Sequence, residues 1–276
     1  MSSPLFLVVT DLDGSLLDHH TYSYAPAQPA LDLLEQLRIP VVLASSKTRA
    51  EMRALREELG NEHPLIVENG AAVLVPVHYF ADPPEGCCER DGFWLKEFAP
   101  PRDTWQGLLS ELRERFPDQF LDFARAGVDE IARMTGLPPD KAALANEREY
   151  SEPVQWRGNE VEREAFLKAL HKAGARALQG GRFISVAGDS DKGQAWDWLR
   201  QCYSLAAGGA PVYDLALGDG HNDLPMLEIA HRAVVIPAPD RSPPQVRREQ
   251  GVVSVSGVGP EAWTQGVQAW LRELYS

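Results

Sequence analysis

Short, wholly apolar runs alternate with helical stretches through the first third of this chain, and that alternation leaves few folds open. Residues 5–10, Leu-Phe-Leu-Val-Val-Thr, have no polar face. A strand of this kind must be covered on both sides, as parallel strands are in α/β proteins. A helical stretch follows at 26–37, with Leu31, Leu34 and Leu37 at helical spacing. Next come an apolar run at 40–44, a Glu- and Arg-rich helix at 48–59 stopped by Gly60-Asn61, and a third run at 65–67. The order β-α-β-α-β predicts a doubly wound, Rossmann-like parallel sheet of the α/β class.

The alternation breaks after Asp82-Pro83-Pro84-Glu85-Gly86, which reads as a linker. Beyond it the sequence predicts helices at 104–116, 128–135, 140–148 and 160–173, with strands at 150–155, 175–179 and 183–186. The first pattern resumes near Asp189, with a helix at 192–201 capped by Asp189 or Ser190. A strand at 212–217, a helix at 223–229 and a strand at 233–236 follow. A final helix at 260–274 has Trp263, Val267, Trp270, Leu271 and Leu274 on one face. The expected organisation is a catalytic core of residues 1–83 and 189–276 carrying an inserted α+β cap domain at 84–188. A chain of 276 residues is long enough for both.

Charge and cysteine usage narrow the function classes. Lys+Arg is 27 against 40 Asp+Glu, a net charge of −13. That balance disfavours a nucleic-acid binder, which needs a basic stripe along the phosphate backbone. Cys87 and Cys88 are adjacent and Cys202 is distant. They make neither a disulfide framework nor a zinc site, and fit a reducing compartment. No apolar run approaches the ~20 residues of a membrane helix, and no basic residue precedes the first run as a signal peptide would require. A cytoplasmic protein without membrane or nucleic-acid partners is expected.

Four elements carry chemistry. Asp11-Leu12-Asp13-Gly14 closes the first strand, so two carboxylates sit where open α/β sheets bind ligands. Taken alone it is also an ordinary turn sequence. Gly218-Asp219-Gly220-His221-Asn222-Asp223 closes another strand and adds two more carboxylates. Together they suit a hard divalent ion such as Mg²⁺, which takes carboxylates, water and phosphate oxygens. Ser45-Ser46-Lys47-Thr48 follows the second strand, where hydroxyls and backbone N–H groups at a helix start form an anion site or simply a cap. Asp191-Lys192-Gly193 puts a cation at a helix start, against the helix dipole. That local conflict is a mark of function.

The order DxD, Ser, Lys, GDxxND resembles the haloacid dehalogenase (HAD) superfamily of phosphatases, over nearly the whole chain. The insert corresponds to the large α+β cap of its sugar-phosphate branch. A narrower resemblance, to mannosyl-3-phosphoglycerate phosphatases, rests on Ile66-Val67-Glu68-Asn69-Gly70, Arg148-Glu149-Tyr150 and Gly180-Gly181-Arg182-Phe183. Ser15 and Ser45 stand where Thr is common, and both keep a hydroxyl. The resemblance implies Asp11 as nucleophile, forming an aspartyl-phosphate, and Asp13 as general acid and then base. It implies Mg²⁺ held by Asp11, the Asp13 carbonyl and Asp219, with Asp223 orienting its water shell or Lys192. Phosphoryl oxygens would be bound by Ser45, Lys192 and the N–H groups of Leu12, Asp13 and Ser46. Arg148 and Arg182 would take a glycerate carboxylate, which favours guanidinium contacts. Glu68, Asn69 and Glu149 would meet sugar hydroxyls, and Asn69-Gly70 would also make a hairpin turn. The product in such a family is a compatible solute. Glucosyl-3-phosphoglycerate, another sugar phosphate and a phosphomutase reaction remain open as alternatives. Closure of the cap about linkers at 82–86 and 187–189 is a further expectation.

Overall fold

The computed structural model describes residues 4–179, 182–239 and 242–275. In chain order, β1 (Leu5–Thr10), α1 (Gln28–Gln36), β2 (Val41–Ala44), α2 (Arg49–Glu58) and β3 (Leu65–Val67) open the fold. Then come β4 (Ala72–Pro76), β5 (Cys88–Arg90), β6 (Phe93–Glu97), α3 (Arg102–Arg115), β7 (Phe120–Asp122), α4 (Phe123–Thr135) and α5 (Pro139–Asn146). The chain continues through β8 (Glu152–Trp156), α6 (Glu160–Lys172), β9 (Arg176–Gln179), β10 (Ile184–Ala187) and α7 (Lys192–Ala206). It ends with β11 (Val212–Gly218), α8 (Leu224–Ile229), β12 (Arg232–Val235) and α9 (Gly259–Leu274).

These elements form two compact units. The first comprises Met1–Ser45, Asn61–Lys96 and Asp191–Ser276, and the second Ser46–Gly60 and Glu97–Ser190. The large sheet runs β12-β11-β1-β2-β3-β4-β6-β5. From β12 to β3 every pairing is parallel, as expected of strands that are buried over most of their length. β3 and β4 are antiparallel and joined by a tight turn at Glu68–Gly70, so Asn69-Gly70 does make a hairpin. The short strand β5 was illegible because all three of its side chains are exposed. Its order comes from the ladder to β6, not from an apolar pattern.

The second unit has its own sheet, β7-β8-β10-β9, with antiparallel pairings throughout. Trp105 and Leu109 of α3 and Phe166 and Leu170 of α6 bury against Val154, Ile184 and Val186 of that sheet. A second cluster gathers Phe123, Ile131 and Ala142 with Phe183. Helix α2 belongs to this unit. Its start carries the capping box that Thr48-x-x-Glu51 encodes, and the Thr48 hydroxyl also donates to the Leu144 carbonyl at 2.8 Å. No helix among the described residues is long and apolar enough to cross a membrane.

Candidate active site

β11, β1 and β2 lie side by side and parallel, so their carboxyl ends fall on one edge of the large sheet. Asp219, Asp11 and Ser45 are the residues that leave those ends. β3, next in order, ends at Val67 and is followed by Glu68. The sheet topology thus gathers what the sequence scatters over more than 200 positions.

The centre is a buried charge cluster. Lys192 is fully buried, and its Nζ donates to Asp11 Oδ1 and Asp223 Oδ1, each at 2.6 Å. The other oxygen of Asp223 accepts the N–H groups of Asp219 at 3.1 Å and Gly220 at 2.8 Å. Asp223 is therefore a bracket between the lysine and the loop that carries Asp219. Lys192 opens α7, and Asp191 caps that helix by accepting from the Gln194 N–H at 2.9 Å. The cap is Asp191 rather than Asp189 or Ser190, because the helix starts only at Lys192. The misplaced cation of the sequence is resolved: it points away from solvent into two carboxylates.

The electrostatics are unbalanced. Burial alone pushes the Lys192 ammonium down, and Asp11 and then Asp223 reverse this and hold it above its ordinary value. Asp223 is pushed up to about 7, by burial first and by the Asp11 charge second, against the pull of Lys192 and Gly220. One ammonium shared by two carboxylates cannot satisfy both, and Asp219 is a third. Ligand atoms of Asp11, Asp219 and Asp223 lie within 4.8 Å of one another. Oxygen-only, buried and short of positive charge, this donor set fits a hard divalent cation. Gly14 leaves room for the Asp219 carboxylate: φ is +82°, and a Cβ there would lie 2.7 Å from Asp219 Oδ2.

The other residues named from sequence distribute unevenly. Asp13 is half-buried, one residue beyond the buried Leu12, whose carbonyl accepts from Ser15 and Leu17. Ser45 is buried; its N–H donates to the Ile66 carbonyl at 3.0 Å and its carbonyl accepts from Asn69 at 2.9 Å. Glu68 is buried, and both Glu68 and Asn69 have positive φ. Asn222 Nδ2 donates to Asn69 Oδ1 at 3.0 Å, tying the hairpin turn to the acidic loop. That contact had no sequence signal.

Within the second unit, Arg148 donates to the Ser46 carbonyl at 3.2 Å and to Ser151 Oγ at 2.9 Å. Glu149 pairs with Arg49 at 2.9 Å, a partner that sequence reading did not single out. Arg182 gives Nη1 and Nη2 to the carbonyls of Met134 and Thr135, at 3.0 and 2.8 Å, at the C-terminal end of α4. That contact is a helix cap. Gly180 and Gly181 of the same motif lie outside the described residues.

Known proteins share both sequence and fold with this chain. A family model described as haloacid dehalogenase-like hydrolase matches residues 8–80. A glucosyl-3-phosphoglycerate/mannosyl-3-phosphoglycerate phosphatase of Methanococcoides burtonii is 34% identical over 262 residues, 95% of each chain. One of the same name from Persephonella marina is 32% identical over 273 residues, covering 97% of this chain and 98% of its own. Among solved structures, a Thermoplasma acidophilum protein superposes with a TM-score of 0.66 at 19% identity, covering 99% of both chains. The sucrose-phosphatase of Synechocystis, in complex with sucrose and phosphate, gives 0.60 at 12% identity, over 97% of this chain and 98% of that one.

Proposed function

The chain belongs to the glucosyl-3-phosphoglycerate/mannosyl-3-phosphoglycerate phosphatases, within the haloacid dehalogenase-like hydrolases, and from that premise we propose that it hydrolyses mannosyl-3-phosphoglycerate to mannosylglycerate and phosphate. The observation that carries the chemistry is the buried cluster of Lys192 with Asp11 and Asp223, adjoined by Asp219. Mg²⁺ is the proposed cofactor, held by Asp11, Asp219 and the Asp13 carbonyl. When bound, it supplies shielding between an anionic nucleophile and an anionic substrate.

In the proposed reaction an Asp11 carboxylate oxygen attacks phosphorus. The P–O ester bond breaks, and the bonding pair leaves with the glycerate oxygen. Asp13 gives that oxygen a proton. The resulting aspartyl-phosphate is then attacked by water, whose proton returns to Asp13, releasing phosphate and restoring Asp11. Lys192, Ser45 and the N–H groups of Leu12, Asp13 and Ser46 hold the phosphoryl oxygens. Asp223 acts through Lys192 and the 219–220 loop. Most of the rate gain in phosphoryl transfer is positioning and electrostatics, which this inventory is suited to provide.

In the second unit, Arg148 and Arg182 are proposed to read the glycerate carboxylate, and Glu149 the sugar, with Glu68 and Asn69 contributing from the core. Both guanidinium groups are already engaged, Arg182 on the carbonyls that end α4 and Arg148 on the Ser46 carbonyl and Ser151 Oγ, so either would have to exchange a protein partner for the carboxylate. A cytoplasmic enzyme making a compatible solute follows from this reading and fits the free cysteines.

Phosphate release with Mg²⁺ tests the reading, using mannosyl-3-phosphoglycerate beside glucosyl-3-phosphoglycerate and trehalose 6-phosphate. Selective turnover of the first is expected. Equal turnover of both glycerate esters widens the substrate class, and turnover of trehalose 6-phosphate alone overturns the carboxylate argument. No free phosphate without a bisphosphate activator would point to a phosphomutase instead.

A further inference from the structure

One hydrogen-bonded chain in the first unit has no part in the chemistry described above, yet it ends on the nucleophile's own peptide group. The indole of Trp263, on α9, is fully buried, and its Nε1–H donates to Thr10 Oγ1 at 2.8 Å. Thr10 is equally buried, and its hydroxyl donates to the Asp11 carbonyl at 2.7 Å. The polarity of this chain is forced. An indole N–H can only donate and a carbonyl can only accept, so the single hydroxyl proton must lie between Thr10 and Asp11.

The consequence is geometric. The Asp11 N–H is held by the Leu217 carbonyl at 2.9 Å, and the Asp11 carbonyl by the Thr10 hydroxyl at 2.7 Å, with the Leu16 N–H a longer second donor at 3.4 Å. The residue is thereby clamped at both ends of its backbone. A trans peptide is planar, with its C=O and N–H on opposite sides. Fixing the Asp11 carbonyl therefore fixes the direction of the Leu12 N–H, one of the proposed phosphoryl donors. The relay is also more polar than stability needs. Thr10 closes a strand whose preceding residues are all apolar, and a buried hydroxyl costs free energy unless it is bonded. Valine has the same shape and would need no partner reaching in from residue 263.

We propose that Trp263 and Thr10 are positioning residues. They form a relay from the last helix that aims the Leu12 N–H at the transferring phosphoryl group. This rests on the phosphatase reading above, and the two can fail separately. Phosphate release by the native protein judges the reading. The ratio of variant to native rate, on any phosphomonoester the native protein turns over, judges the relay.

The test uses Thr10→Val, Thr10→Ser, Trp263→Phe and the Val/Phe double variant. For each one, kcat, KM, thermal unfolding and inhibition by orthovanadate and by inorganic phosphate are measured. Thr10→Val is expected to lower kcat about 10- to 100-fold with KM within about threefold, the size expected when one aimed donor is misdirected. Affinity for orthovanadate, which mimics the five-coordinate phosphorus, should fall with kcat, while affinity for phosphate changes less than about threefold. Thr10→Ser should restore most of the rate. Trp263→Phe keeps the ring volume and should lower kcat on its own, but add less than about twofold to Thr10→Val, because groups acting as one unit are not additive. The proposal is overturned if Thr10→Val retains kcat within about twofold, or if orthovanadate and phosphate affinities fall together. Multiplying losses in the double variant would also overturn it. Should Thr10→Val not fold, Thr10→Ser with Trp263→Phe carries the same comparison.

Discussion

At the scale of single residues, charge is out of balance in the buried cluster. Three carboxylates face one ammonium in a buried place, so the cluster is most stable when a cation joins it. In the native protein, Mg²⁺ at about 100 times its Kd should add roughly 2.7 kcal/mol, read as a rise in melting temperature over a chelated sample. Asp219→Asn should abolish most of that rise and cut activity by about 100-fold or more, while the metal-free variant melts no lower than the native protein. An undiminished Mg²⁺ response would remove Asp219 from the ligand set. The cysteines behave differently. Cys202 is pushed up to about 12, by burial first and by its neighbour Cys87 second. Cys87 is also raised by burial, with Lys96 opposing. Cys88 is exposed. Raised folded-state values mean that these thiols cost nothing below the unfolded thiol range and destabilise the fold as pH climbs above it. Iodoacetamide at pH 8 should therefore label Cys88 first and Cys202 last. The Cys202 rate should still climb about tenfold per pH unit beyond pH 9, because only the thiolate reacts. A plateau near pH 9 would contradict this.

Two turns at the level of elements look alike in sequence and differ in consequence. Gly14 follows β1 and Gly70 follows β3, and both have positive φ. A Cβ at Gly14 would meet the far end of the Asp219 side chain, at 2.7 Å. A Cβ at Gly70 would meet the Asp191 carbonyl oxygen at 2.1 Å, backbone that cannot rotate away. The β3–β4 hairpin is thus pressed against the start of α7, the helix that delivers Lys192. Gly70→Ala should cost about 3 kcal/mol or more in thermal or urea unfolding, since both strain and a backbone clash must be relieved. Gly14→Ala should cost less stability but lose activity by displacing a proposed metal ligand. Equal stability losses would show that the two contacts do not differ as described.

Net charge acts on the molecule as a whole. At −13 the chain repels itself, and this repulsion is screened by salt. Raising KCl from about 20 mM to about 500 mM should raise the melting temperature by a few degrees, without changing kcat where Mg²⁺ is saturating. A falling melting temperature would mean that local ion pairs outweigh the net repulsion. The chain also divides more unevenly than composition suggests. Helix α2 lies between core strands in sequence but packs with α5 in the second unit, bonded through Thr48 to Leu144. Nothing in its own pattern says which neighbour it will choose, because a helix with a charged face reads the same against either.

The α/β class, the parallel strands and the four chemical motifs were legible because each is a local fact. A wholly apolar strand demands cover on both faces, and DxDG, the Ser45 turn, Lys192 and GDGHND each sit at an element end. Lys192 even declared itself as an error of helix electrostatics. What sequence could not state is who meets whom across the chain. The Asn222–Asn69 link, the Arg49–Glu149 pair and the Trp263–Thr10 bond each join residues whose spacing carries no period. Arg182 was legible as an available guanidinium, but only the fold decided that it would cap α4. The physical reason is that periodicity records which face of an element is buried, whereas partners depend on how the elements are packed. The sequence therefore determined the helices and the parallel strands of the core, though not β4 to β7, and the kinds of side chain at their ends. Only the tertiary structure decided that one buried lysine would be shared by two carboxylates 212 positions apart in number, since that meeting exists only once strands β1 and β11 lie side by side.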